Sequence, residues 1–125
     1  MILGLGTDIV AVDRIADLVD RYGDRFTARV FSEAERALAE GRGPAGAAAL
    51  AARWAAREAF LKALGGDVRA VPYGSIEVVR AAAGPVSLRL SGAAADALDA
   101  LGGRRVHLAL SHERTHAVAV VIIED

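Results

Sequence analysis

Residues 2–12, ILGLGTDIVAV, are apolar or glycine except for Thr7 and Asp8, and this run predicts a first strand. From Asp13 to about Arg21 the period changes. Ile15, Leu18, Val19 and Tyr22 fall on one face of a helix, which Gly23 either breaks or only weakens. Ser32, with Glu35 three residues on, has the capping-box pattern and opens a short helix in FSEAERALAE. GRGPAG, residues 41–46, is the clearest loop. A long alanine-rich helix follows from about Ala47 to Leu64, and Gly65-Gly66 supplies its stop. Two strands come next, Ser75–Arg80 and Pro85–Leu90, joined by a short Ala/Gly turn. SGAAADALDALGG then reads as a helix with a serine N-cap and a glycine stop, and Arg105–Ser111 with His116–Ile123 as a terminal hairpin around HERT. This order predicts one α+β domain over residues 1–125, a mostly antiparallel sheet with the long alanine-rich helix packed on it.

Composition narrows the class. A length of 125 residues, 54% of them hydrophobic, 25% charged and with a mean hydropathy of +0.32, suits one folded globular domain and excludes a disordered chain. The aromatics are one Trp, two Tyr and three Phe, and much of the apolar content is alanine, so part of the burial is expected at an oligomer interface. A net charge of −1 gives no reason to expect nucleic acid or an anionic membrane as partner. There is no cysteine, no basic N-terminal region and no apolar run of about 18 to 20 residues, so the expectation is a soluble cytoplasmic protein. Of 15 basic residues, Lys62 is the single lysine.

Two carboxylates carry the candidate chemistry. In a strand, alternate side chains share a face, so Asp8 stands with Gly4, Gly6 and Val10, while Leu3, Leu5, Thr7 and Ile9 point the other way. The glycines leave a bare floor, which a ligand or another backbone can approach closely. A carboxylate there is costly unless it is paired or bound to a cation. Asp8 therefore either binds a cation or pairs with an arginine at the sheet edge. In RWAAREAFLKAL, residues 53–64, Glu58 and Lys62 lie one helical turn apart, flanked by Trp54 in a small-sided stripe. They are either a surface ion pair or part of a site. Two oxygen ligands, one lysine and a glycine floor suit Mg²⁺ and phosphate.

GLGTDIVAVDRI, FSEAE, RWAAREAFLKAL and LALSHERTHAVAVVI together resemble the holo-[acyl-carrier-protein] synthase family, the small stand-alone 4′-phosphopantetheinyl transferases, over essentially the whole length. The resemblance implies transfer of the 4′-phosphopantetheine arm of coenzyme A to a serine of apo-acyl carrier protein, releasing adenosine 3′,5′-bisphosphate. It implies Mg²⁺ as cofactor and a homotrimer with active sites between neighbouring subunits. By motif position, Asp8 and Glu58 are the expected metal ligands, and Lys62 the expected contact to a coenzyme A phosphate. Arg53, Ser111 and His112 match positions associated with coenzyme A binding. For the proton of the attacking serine, Glu58 is the first candidate acceptor and His112 the second. Arg57 stands where the family usually has lysine, and arginine is a poor proton acceptor.

Acyl carrier proteins are acidic, so the resemblance also implies a basic docking patch. Arg21 lies within about 20° of Arg14 around the first helix, as does Arg25 if the helix runs through Gly23. The apolar residues and the aspartates (Asp13, Asp17, Asp20, Asp24) form separate stripes beside them. Other signals carry less. G-x-G in GLGTDI lacks the third glycine and the following helix of a dinucleotide site. His112 and His116 fall in a hairpin, not on one helical face, so they do not suit zinc, and His116 and His107 read as structural. Arg42 reads as part of a mobile loop, and Glu35 is explained by its capping box. Alternatives from other classes are a non-catalytic coenzyme A- or nucleotide-binding subunit and a purely structural trimerisation domain.

Overall fold

The first strand, β1 (Ile2–Ala11), pairs with the last, β5 (His116–Glu124), so the two ends of the chain close the fold. A computed structural model describes all of residues 1–125. Between these strands lie α1 (Val12–Tyr22), α2 (Asp24–Val30), α3 (Glu33–Gly41), the long α4 (Gly46–Leu64), β2 (Ile76–Arg80), β3 (Val86–Leu90), α5 (Gly92–Leu101) and β4 (Arg105–His112). The strands form two antiparallel sheets, β1-β5-β4 and the separate β2-β3 hairpin. The class is α+β, as the pattern predicts.

Gly23 does break the first helix. Its φ of 53° lies in the left-handed region, and α2 starts afresh behind it. The capping box forms at α3: Ser32 N donates to Glu35 Oε1 at 2.8 Å and Glu35 N to Ser32 Oγ at 3.1 Å. Ser91 occupies the N-cap position of α5, as expected, although its side chain makes no capping bond.

Helix α4 is the core. Ala51, Ala55, Ala56, Ala59 and Phe60 are all buried, and the helix lies on the inner sheet face beside Val10, Ala117, Ala119, Val121 and Ile123. A helix apolar nearly all round must be covered nearly all round, and here β1 and β5 cover one side while α1 and α3 lie against others. Alanine sets the spacing, because small side chains let backbones approach closely.

The glycines of β1 take that approach to its limit. A Cβ on Gly4 would lie 1.9 Å from the Ala63 carbonyl oxygen, and one on Gly6 equally 1.9 Å from that of Ala59. The expected floor beside Asp8 is therefore occupied by the α4 backbone, and a phosphate has no room on it. Of the two occupants glycine permits, the second backbone is the one present.

One buried ion pair joins the layers. Both guanidinium ends of Arg57 reach Glu35, NH2 to Oε1 at 2.5 Å and NH1 to Oε2 at 2.9 Å, with both side chains almost fully buried. Glu35 also accepts from Val78 N, tying α3 to β2. Removing one partner of such a pair typically costs about 3–5 kcal/mol, because the other is left buried and charged.

Candidate active site

Asp8 and α4 meet at the rim of the inner face. Lys62, in the last turn of α4, places Nζ 3.1 Å from Asp8 Oδ1 and 3.1 Å from the Thr7 carbonyl oxygen. The partner of Asp8 is thus the single lysine, not an arginine. Lys62 is in turn not paired with Glu58, as a simple helical spacing suggests. Glu58 Oε1 instead accepts from the Tyr73 hydroxyl at 2.5 Å.

Tyr73 links the two carboxylates electrically. Its phenol is pushed up to about 12, first by burial, then by the hydrogen bond to Glu58 and the negative charges of Glu58 and Asp8, while Arg14 pulls it the other way. Glu58 and Lys62 stand one turn apart on α4, so the bond of Lys62 to Asp8 and the bond of Glu58 to Tyr73 put both carboxylates on one edge. Its ring packs on Trp54, centroids 5.0 Å apart, and the Arg14 guanidinium lies 5.7 Å from the Trp54 ring on the same cluster. Asp8, Arg14, Trp54, Glu58, Lys62 and Tyr73 therefore converge on one partly exposed edge. Tyr73 was missed from sequence. The only signal was an aromatic after Pro72 near a strand start, which carries no chemistry by itself.

Other expected site residues lie elsewhere. Arg53 falls about 140° around α4 from Glu58. It is buried and donates to the Ala49 carbonyl oxygen at 3.1 Å. Its pKa is lowered, first by burial and then, against the attraction of Glu35, by the nearby positive charges of Arg42, Arg80 and Arg57. Ser111 stands in register with Val118 and Ile9, on the sheet face opposite the row Asp8, Ala119 and Leu110. His112, in register with Ala117 and Val10, lies at the exposed end of β4, two strand spacings or about 10 Å across the sheet from β1. Within one chain, then, the structure does not bring Arg53, Ser111 or His112 to the carboxylates. Ser111 and His112 line a separate cavity of about 310 Å³ with Ile9, Glu113 and His116. His107 faces Glu124, and His116 faces Thr115.

Next to the Asp8 edge, α1 and α2 make a basic and apolar surface. Leu18, Tyr22, Arg25, Phe26 and Arg29 line a shallow cavity of about 290 Å³. Arg25 lines this cavity with Leu18 and Tyr22 of α1 although the first helix stops at Gly23. Arg14 and Arg21 are exposed on the same helix. Arg29 adds a cation that the helical projection did not include.

The outer face of the three-stranded sheet is uncovered. Leu5 is 65% exposed, Ile9 67% and Val120 36%, alternating with the inward residues buried under α4. No helix is long and apolar enough to cross a membrane.

Residues 4–121 match the model of the 4′-phosphopantetheinyl transferase superfamily. The chain is 44% identical over 126 residues to the holo-[acyl-carrier-protein] synthase of Koribacter versatilis, covering 100% of both. Its fold is similar to the crystal structure of holo-[acyl-carrier-protein] synthase from Neisseria meningitidis, with a TM-score of 0.87, 35% identity and 100% of each chain covered. It is also similar to a holo-(acyl-carrier-protein) synthase from Bacillus anthracis solved in complex with CoA (3′,5′-ADP), with a TM-score of 0.79, 34% identity and coverage of 98% and 96%. The chain belongs to the 4′-phosphopantetheinyl transferase superfamily.

Proposed function

We propose that the chain transfers the 4′-phosphopantetheine arm of coenzyme A to a serine of apo-acyl carrier protein, in the cytoplasm, with Mg²⁺ as cofactor. The observation that carries this reading is the meeting of Asp8, Lys62 and Glu58 on one edge, in a chain similar over its full length to holo-[acyl-carrier-protein] synthases. A non-catalytic coenzyme A-binding subunit would need no paired carboxylates beside a cationic donor.

The residues fit Mg²⁺. No group of three or more His, Asp or Glu side chains is gathered anywhere, but Mg²⁺ takes one or two carboxylates and completes its shell with waters and substrate phosphate oxygens. Asp8 and Glu58 supply that pair, each with one oxygen already oriented by a donor of the chain. When bound, the ion would neutralise pyrophosphate charge and favour loss of the phosphate leaving group.

The chain's own groups do the rest. Lys62 presents a compact positive charge to a phosphate oxygen. The serine Oγ attacks the phosphorus attached to pantetheine, and the bond from that phosphorus to the adenosine bisphosphate oxygen breaks. The serine proton passes to Glu58, with His112 the second candidate. Arg53, with Arg42 and Arg80 near it, forms a positive region suited to the remaining coenzyme A phosphate.

Ser111 and the carboxylates lie on opposite faces of one sheet, which favours a coenzyme A site shared between two copies. The exposed Leu5, Ile9 and Val120 supply the apolar surface for a homotrimer with its sites between subunits. The acidic carrier protein docks on Arg14, Arg21 and Arg25, joined by Arg29, around Leu18 and Phe26. Incubation with coenzyme A, Mg²⁺ and an apo-carrier protein, read by mass, tests the reading.

A further inference from the structure

We propose that Tyr73 is a positioning residue for Glu58, held from behind by Arg57 so that its hydroxyl fixes how the Glu58 carboxylate faces Asp8 and Lys62. This rests on the reading that Glu58 serves in transfer.

Tyr73 is fixed at three points. Its ring lies against Trp54, with centroids 5.0 Å apart. Its carbonyl oxygen accepts from Arg57 Nε at 3.2 Å. Its own turn is closed by the hydroxyl of Ser75, which donates to the Pro72 carbonyl oxygen at 2.7 Å. A hydroxyl carried on so constrained a residue has little freedom, and it is spent on one oxygen of Glu58 at 2.5 Å. Oε2 accepts no hydrogen bond within the chain, and one turn on along α4 Lys62 holds Asp8.

Arg57 is suited to the task by its donor count. It gives two bonds to Glu35, one to the Arg53 carbonyl oxygen at 3.2 Å and, through Nε, one to Tyr73. A lysine has three donors on a single atom and cannot span these directions. Glu35 is itself locked by the capping box of α3. A continuous chain of bonds therefore runs from Ser32 through Glu35, Arg57 and Tyr73 to Glu58. Such a brace matters for Mg²⁺, which demands near-ideal octahedral geometry from its ligands.

The test uses Tyr73→Phe, which keeps the ring and the backbone carbonyl and removes only the hydroxyl. Mg²⁺ alone is titrated onto each protein, with Trp54, the single tryptophan, as the fluorescent reporter. Transfer kinetics and thermal midpoint are measured alongside. The expected result is Mg²⁺ affinity and kcat both lowered about tenfold, with KM for coenzyme A and carrier protein and the thermal midpoint held. In a Glu58→Ala background, which removes the acceptor of that bond, Tyr73→Phe should lower Mg²⁺ affinity no further. Mg²⁺ affinity and kcat within about twofold of wild type, or an equal loss in both backgrounds, would overturn the inference. If wild type transfers nothing but Tyr73→Phe still weakens Mg²⁺ binding, the transfer reading falls and the positioning role stands.

Discussion

A Cβ on Gly6 would lie 1.9 Å from the carbonyl oxygen of Ala59, so the strand that carries Asp8 and the helix that carries Glu58 and Lys62 are in backbone contact. That contact sets the depth at which the two carboxylates meet. Gly6→Ala must push α4 off the sheet, and it should cost about 3 kcal/mol or more, the upper end of overpacking. Gly23→Ala, with no atom within 4 Å of the added Cβ, should cost only the backbone strain of its φ of 53° and ψ of −131°, about 1–2 kcal/mol. Denaturant unfolding of both variants checks this, and equal losses would contradict it.

Tyr73 gives a pH signature. In a Tyr22→Phe protein it is the only tyrosine, since the chain has two. In metal-free buffer its tyrosinate absorbance should appear near pH 12, not at the ordinary value of 10.0. Because the folded pKa is raised, the stability tied to this proton is complete below pH 10 and is lost as pH climbs toward 12. Tyrosinate appearing at the ordinary value with the fold intact by circular dichroism would contradict the bond to Glu58.

Docking should separate cleanly from cofactor binding. Arg21→Glu should raise KM for carrier protein about tenfold, an effect that fades as salt screens it. Arg14→Glu should do so more strongly, since Arg14 also lies over Trp54. KM for coenzyme A should stay within about twofold in both, and equal losses for the two substrates would refute a docking role.

The outer sheet face makes a prediction about assembly. Leu5→Lys with Ile9→Lys changes two side chains that are 65% and 67% exposed in the single chain, so the fold should survive. Sedimentation should show a trimer becoming a monomer, and transfer should fall with it because Ser111 and His112 lose the neighbouring carboxylates. A monomeric variant of full activity would contradict a site shared between copies.

Periodicity made much of this fold legible. The face shared by Gly4, Gly6, Asp8 and Val10 is the inner one, the capping box at Ser32 and Glu35 forms, and α4 ends at Gly65. What periodicity could not show was what lay on that face, because glycine admits a ligand and a backbone alike, and only packing decides between them. Glu35 shows the same limit. Its local role explained it fully, so nothing flagged the pairing with Arg57, 22 residues on. Tyr73 lay further out of reach: its partner Glu58 is 15 residues earlier and no spacing rule connects a turn to a helix face.

The central claim is that Asp8 and Glu58 form one site for phosphopantetheine transfer. Wild type, Asp8→Asn and Glu58→Ala proteins, incubated with coenzyme A, Mg²⁺ and apo-acyl carrier protein, test it by the mass of the carrier. Wild type should add one phosphopantetheine arm at the carrier serine, and each variant, folded as wild type, should be slower by about 10²-fold or more. A carrier left unmodified by folded wild type, or a Glu58→Ala protein near wild-type rate, would contradict the account.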